Sequence, residues 1–236
     1  MGQGKDLRLL IAIPTKATLP TGEELYQTRR MACEATWLKD CPCDYKFFSD
    51  ADLGLDFFSE TVRTWRTKLM AKYAYDNGYD FMFRCDTDTY VWTNRLMACG
   101  FEAHDYMGYC VPYPKRLEIH CGLRTAHGGS GFFLSRRAME PVIETPPFLC
   151  HDGRYWGDIW TGEVLWKHDI HCHRDTRFMD GEGAGNWLPS WLPKEHPYIT
   201  IHPVPAPNMY MFHELGKMGD ETAPPEKQLF EPRYSF

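Results

Sequence analysis

The run Phe81-Met82-Phe83-Arg84-Cys85-Asp86-Thr87-Asp88-Thr89-Tyr90-Val91 passes from apolar residues into two carboxylates and back to apolar character. Four to eight apolar or aromatic residues bounded by polar signals read as a buried strand, and Phe81 to Cys85 fits that description. Asp86 and Asp88 follow at its C-terminal end with one residue between them. Two carboxylates this close resist joint ionisation unless a cation neutralises them. An Asp-x-Asp pair at a strand end therefore suits a divalent ion and, through it, a phosphate-bearing ligand. Asp and Thr are equally at home in solvated turns, and alone the pair is a low-information pattern that fits either reading.

Upstream, Leu7 to Ile13 is a continuous β-compatible run, the expected first and central strand, followed by a loop over Pro14 to Gly22. Thr21 and Glu24 have capping-box spacing and open a helix expected to reach about Leu38. Cys41-Pro42-Cys43 marks a turn, and Tyr45 to Ser49 reads as a second strand ending at Asp50. Ser59 is placed to cap a second helix, with Val62, Trp65, Leu69 and Tyr73 on one face and Gly78 as its stop. Strand, helix, strand, helix, strand implies a parallel sheet with right-handed crossovers. Ligands of such sheets bind beyond the carboxyl ends of the strands, which is where Asp86 and Asp88 fall.

Downstream, Asp105 to Cys110 reads as a strand and Pro112 to Arg124 as a loop. Gly128-Gly129-Ser130-Gly131 leads into a strand at Phe132-Phe133-Leu134, and Ser135 is placed to cap a short helix that Thr145-Pro146-Pro147 breaks. The glycines either let backbone approach a ligand or simply make a tight turn. Asp158 to His168 reads as an amphipathic helix, Ile199 to Ile201 as a late strand, and the Pro-, Glu- and Lys-rich tail from Lys217 as a surface strap or a partly disordered segment.

With 236 residues, 43% of them hydrophobic, the chain can bury a full core, and no repeat or linker divides it. A net charge of −6 argues against a broad electrostatic footprint for nucleic acid. The apolar stretch at Leu7 to Ile13 is too short for a signal peptide and is closed by Pro14, and nothing approaches the ~20 apolar residues of a membrane span. These features, with Met1-Gly2 as a natural-looking start, lead us to expect a soluble, cytoplasmic protein. Its nine cysteines, an odd number, are then expected to be reduced.

Taken in order, the segments resemble the Fringe, core-1 galactosyltransferase and β-1,3-glycosyltransferase family. Arg29 or Arg30 followed by Thr36-Trp37 is similar to that family's first helix, and Phe47-Phe48-Ser49-Asp50 to its second strand. Lys68 or Lys72 stands where a helix lysine precedes the metal motif, and Arg84 to Val91 is close to Lys-x-Asp-Asp-Asp-Thr-Tyr-Val, with Thr87 replacing the middle acid. Gly128 to Ser135, Trp156-Gly157-Asp158-Ile159-Trp160-Thr161-Gly162 and Ile201-His202-Pro203 resemble later segments, although Trp156-Gly157 departs from the usual residues before the catalytic aspartate.

The resemblance implies a GT-A fold, a Rossmann-like, mostly parallel central sheet flanked by helices. The chain would be one domain, with a nucleotide-binding half at about 7–92, an acceptor half at about 93–216 and a tail at 217–236. It also implies an inverting hexosyltransferase using UDP-galactose, UDP-N-acetylglucosamine or UDP-glucose and a hydroxyl of a glycan or protein, with modified nucleic acid as a further acceptor class. Asp86, Asp88 and His202 would hold the metal, Mn²⁺ or alternatively Mg²⁺, and two oxygen donors with one imidazole suit Mn²⁺ better than Ca²⁺. Arg29, Asp50, Lys68, Arg84, Asp86, Gly128 and Gly129 would contact the donor. Asp158 would be the general base, a role that does not conflict with capping the following helix.

Two rival readings remain at this level. His168, His171, Cys172 and His173, with His151-Asp152 nearby in sequence, could serve a zinc hydrolase, although the helical His-x-x-x-His spacing is missing. A non-catalytic carbohydrate-binding module on the same frame would be expected to have lost the carboxylates that this chain keeps.

Overall fold

The computed structural model describes residues 7–15, 23–54, 62–112, 123–150, 156–180 and 198–219. Strand β1 (Leu9–Thr15) is buried along nearly its whole length, because helices cover both faces of the sheet. A strand in that position can be apolar at every residue instead of alternating. Its side chains divide by parity: Leu9, Ile11 and Ile13 enter one core, and Leu10 and Ala12 the other.

β1 is flanked in parallel by β2 (Asp44–Ser49) and β3 (Phe81–Arg84). Helices α1 (Glu23–Ala35) and α2 (Val62–Asp76) make the two crossovers. The order expected from the sequence is therefore the order found. The tight turn β4 (Tyr90–Val91) to α3 (Thr93–Met97) leads on to β5 (Tyr106–Gly108), β6 (Cys110–Pro112), β7 (Arg124–Ala126) and β8 (Phe132–Ser135). Then come α4 (Arg136–Glu144), α5 (Gly157–Lys167), β9 (His173–Arg174), β10 (Phe178–Asp180), β11 (Thr200–His202) and α6 (Ala206–Gly219). The main sheet runs β2-β1-β3-β8-β5-β9. Only β8 opposes the rest, so the fold is mixed α/β around a mostly parallel six-stranded sheet. A second sheet runs β10-β11-β4, and β6 pairs with β7.

Phe83 and Phe133 face each other across the β3–β8 pair with ring centres 4.8 Å apart, and Phe133 stacks on Phe101 at 4.4 Å. Each ring is buried, contributing about 1.5–3 kcal/mol. Met209 and Phe212 of α6 join Cys33 and Trp37 in the same core. Trp160, Val164 and Leu165 of α5 fill the opposite one with Met70 and Ala74 of α2.

Several expectations need correction. The buried face of α2 is Thr64, Thr67, Met70, Ala71 and Ala74, and the larger Val62, Trp65, Leu69 and Tyr73 are only partly buried. Small residues let α2 pack closely on α4 and α5: a side chain at Gly157 would lie 3.0 Å from Thr67 Oγ1. The strand expected over Asp105 to Cys110 is two. Gly108 is pressed against Gly131 O and Phe132, and β6 then leaves the main sheet to pair with β7.

Cys110 and Cys172 are joined in a disulfide, against the expectation of reduced thiols, since pairing of β5 with β9 brings the two ends together. The chain between Pro205 and Gly219 is helical, with Pro207 in the first turn, where its missing N–H costs nothing. Ser135 caps α4 as expected, accepting a bond from Ala138 N at 3.2 Å. The expected caps at Thr21 and Ser59 lie outside the described residues. No helix is long and apolar enough to cross a membrane.

Candidate active site

β3 ends at Arg84, and the next five residues fold into a turn that ties itself shut. Thr89 N–H donates to Asp86 O at 3.1 Å, and Asp86 N–H to Thr89 Oγ1 at 3.2 Å. β4 then pairs antiparallel with β11, Tyr90 opposite Ile201, and this register carries His202 to the level of Thr89. Val204 N–H donates to Asp88 O at 2.7 Å and fixes the two segments together.

One oxygen each of Asp86 and Asp88 and one ring nitrogen of His202 consequently lie within 4.8 Å of one another. His202 Nε2 is 3.4 Å from Asp88 Oδ1, and Arg29 Nη1 of α1 is 3.1 Å from Asp88 Oδ2. Burial alone would raise the Asp88 carboxyl, but the His202 bond and the charges of His202 and Arg29 outweigh it and hold it below the usual carboxylate value. The donor set of two carboxylate oxygens and one imidazole could hold a divalent ion, and it suits Mn²⁺ better than the hard, oxygen-preferring Mg²⁺ or Ca²⁺.

The Gly128–Gly131 turn forms the wall opposite. Thr89 Oγ1 donates to Gly129 O at 2.6 Å, and Thr200 Oγ1 to Ser130 O at 2.6 Å. The glycines serve different needs. Gly131 has φ +90°, a conformation that side chains resist. Gly128 and Gly129 are free of that constraint, and space excludes a side chain there: a Cβ on Gly129 would collide with the His202 ring, and one on Gly128 would lie 2.7 Å from Arg84 Nη1.

Gly128 also joins the metal corner to Asp158. Its N–H donates to Asp158 Oδ2 at 2.9 Å, and Ile159 N–H donates to Oδ1 at 2.9 Å. Asp158 lies in the first turn of α5, after an N-cap (Trp156) that makes no side-chain cap bond. One of its oxygens thus reaches away from its own helix to the glycine turn. Between the two acids stands Arg84. Its Nη2 pairs with Asp86 Oδ1 at 2.7 Å, while its buried Nε and Nη1 meet no acceptor among the described residues.

Arg29, Arg84, Asp86, Asp88, Gly128, Gly129, Asp158 and His202 therefore form one linked strip. Asp50 and Lys68 are engaged elsewhere. Asp50 is held by both arms of Arg66, at 2.5 and 2.6 Å, and Lys68 donates to Thr145 O at 2.8 Å, with burial lowering its pKa. Two neighbours drew no expectation from the sequence, Arg66 beside Asp50 and His127 beside the glycine turn. Arg66 follows Asp50 by a distance that carries no signal. His127, whose Nδ1 lies 3.1 Å from Ser130 Oγ and whose ring centre lies 5.5 Å from that of His202, was legible as the polar residue at the lip of the glycine turn.

The His-rich tract does not converge. His171 meets Asp169 at 3.0 Å, Cys172 is in the disulfide, and His173 stacks on His104 at 3.6 Å. Among the described residues the Asp86, Asp88 and His202 group is the only one with three ligand atoms so placed, while His151 and Asp152 lie outside them.

No protein-family model matches the sequence. Two solved structures share part of its chain path. A197 from STIV aligns with a TM-score of 0.39 and 16% identity over 72% of this chain and 82% of its own. A glycosyltransferase involved in the glycosylation of the major capsid of PBCV-1 aligns with a TM-score of 0.49 and 9% identity over 88% of this chain and 99% of its own. At scores below 0.5 neither likeness carries an argument about what this chain does.

Proposed function

We propose that this chain is a metal-dependent, inverting glycosyltransferase of GT-A type that moves a hexose or N-acetylhexosamine from a UDP-sugar to a hydroxyl of a glycan or protein. The observation that carries this reading is the convergence of Asp86, Asp88 and His202 from distant segments on a glycine turn that also binds Asp158. The ordered family resemblance of the sequence supports it.

A bound Mn²⁺ or Mg²⁺ would neutralise charge on the diphosphate leaving group. Asp86, Asp88 and His202 would hold it, and Arg29 would keep Asp88 in place. The buried, unpaired nitrogens of Arg84 suit donor phosphate oxygens, since a buried guanidinium N–H without an acceptor is costly. Each Asp158 oxygen already accepts one backbone bond and keeps a further lone pair for the proton of the acceptor hydroxyl. A base on the face opposite the leaving group gives direct displacement with inversion.

The test is release of UDP from UDP-galactose, UDP-N-acetylglucosamine and UDP-glucose, with and without EDTA. We expect one donor to be consumed, the turnover to vanish with chelator and to return with Mn²⁺, and the product to carry the inverted anomer. Turnover indifferent to EDTA, or no turnover of any donor under either condition, would overturn the proposal.

A further inference from the structure

Cys41-Pro42-Cys43 stands at the turn from α1 into β2, apart from the strip described above. Its two Sγ atoms are 3.5 Å apart, and both residues are partly exposed. Their inner sides rest against the core that contains Trp37 and Phe47. Reactive cysteines differ from inert buried ones in combining access with stabilisation of the thiolate. Cys33, Cys85 and Cys150 are buried, and burial raises the thiols of Cys33 and Cys85. Cys99 is partly buried, but its thiol is pushed up to about 12. Cys41 differs: the hydrogen bond from Cys43 lowers it, against burial and the Asp44 charge, whereas Cys43, the partner that keeps its proton, is raised.

We propose that Cys41 and Cys43 form a thiol–disulfide exchange site that reacts with small-molecule disulfides. The Cys41 thiolate attacks one sulfur of RS–SR, forming a Cys41–SR bond and releasing RS⁻, which takes up a proton from solvent. Cys43 then loses its proton to solvent and attacks the Cys41 sulfur, forming the Cys41–Cys43 bond and releasing the second RS⁻ to be protonated. The protein dithiol is oxidised by two electrons, and the small disulfide is reduced to two thiols. The same exchange balances with Cys43 attacking and Cys41 resolving, since the two sulfurs share one hydrogen bond in which either can donate. A separation of 3.5 Å leaves the sulfurs a short approach to the bonded distance of about 2.05 Å.

The test uses the full chain equilibrated with oxidised and reduced glutathione at several ratios, acid-quenched, alkylated and mapped by mass spectrometry. The expected result is a peptide spanning residues 41–43 that loses two hydrogens and both alkylation sites as the buffer becomes more oxidising, while Cys99 stays alkylatable. Cys43→Ser and Cys41→Ser should each accumulate a glutathione adduct on the cysteine that remains, because no second thiol is there to resolve it. The wild-type map stands even if a variant folds poorly. Both thiols staying alkylatable at every ratio, or each acquiring its own glutathione without an internal bond, would overturn the proposal. Neither outcome bears on the transferase reading.

Discussion

In the corner formed by Asp86, Asp88 and His202, three ligand atoms come from a turn and from a strand far away in sequence, and a β4–β11 pairing holds them together. In the tract from His168 to His173 ligating side chains crowd within six residues, yet His171 meets Asp169, Cys172 is tied up in the disulfide and His173 stacks on His104. By sequence density the tract is the richer of the two. Ligand density along a chain does not by itself bring ligand atoms together. What matters is whether two elements are held in register so that side chains from both point into one space.

The most severe way to break this contrast is to remove one ligand. Asp88→Ala should abolish detectable sugar transfer, leaving Arg29 and His202 without their shared carboxylate, whereas His171→Ala with His173→Ala should leave transfer unchanged. Initial rates on the preferred donor measure both. Next in size, Asp158→Asn should keep donor affinity and lower kcat by roughly 10²–10⁴-fold, checked by steady-state kinetics beside UDP binding. Near-wild-type turnover would remove Asp158 from the mechanism.

How much of this could be read in the sequence depended on how far each interaction reaches. β1 and β3 were legible because a strand buried on both faces must be apolar throughout, as Leu9 to Ile13 is, and β2, at the sheet edge, was legible from its aromatic end at Phe47-Phe48. The Ser135 cap was legible because it is local. The corner was partly legible: Asp86 and Asp88 announce themselves, whereas His202 depends on the Tyr90–Ile201 register and came only through the family resemblance. The Arg66 pairing of Asp50, the turning of α2 onto its small residues and the Cys110–Cys172 bond are all tertiary events. No periodicity encodes them. Helix α6 drew no expectation, since its opening carries Pro205 and Pro207, residues that do not usually continue a helix.

Smaller effects sharpen the comparison. Gly129→Ala pushes a methyl group into the space of the His202 ring and should cost about 1–3 kcal/mol of stability, as overpacking does, read by urea denaturation, and should weaken Mn²⁺ binding at the same time. A larger truncation on the exposed tract, His171→Ala, should nevertheless stay within about 0.5 kcal/mol.

The smallest effect concerns the His104–His173 stack. Burial, and then the neighbouring His173, lower the His104 pKa below its ordinary value. The unfolded chain therefore binds more protons there. Stability should fall as the pH drops through the ordinary value of about 6.5 towards the depressed one, and be insensitive above it. Replacement with His104→Phe should flatten that part of the Tm–pH curve.

The central claim is that the corner, and not the tract, holds the divalent ion. Electron paramagnetic resonance of Mn²⁺ titrated into the protein measures this directly, because free and bound ions give separable signals. One Mn²⁺ should bind per chain, be lost in Asp88→Ala, be retained when His171 and His173 are both alanine, and bind more tightly with UDP present. Binding that survives Asp88→Ala and disappears with the two histidines would contradict it.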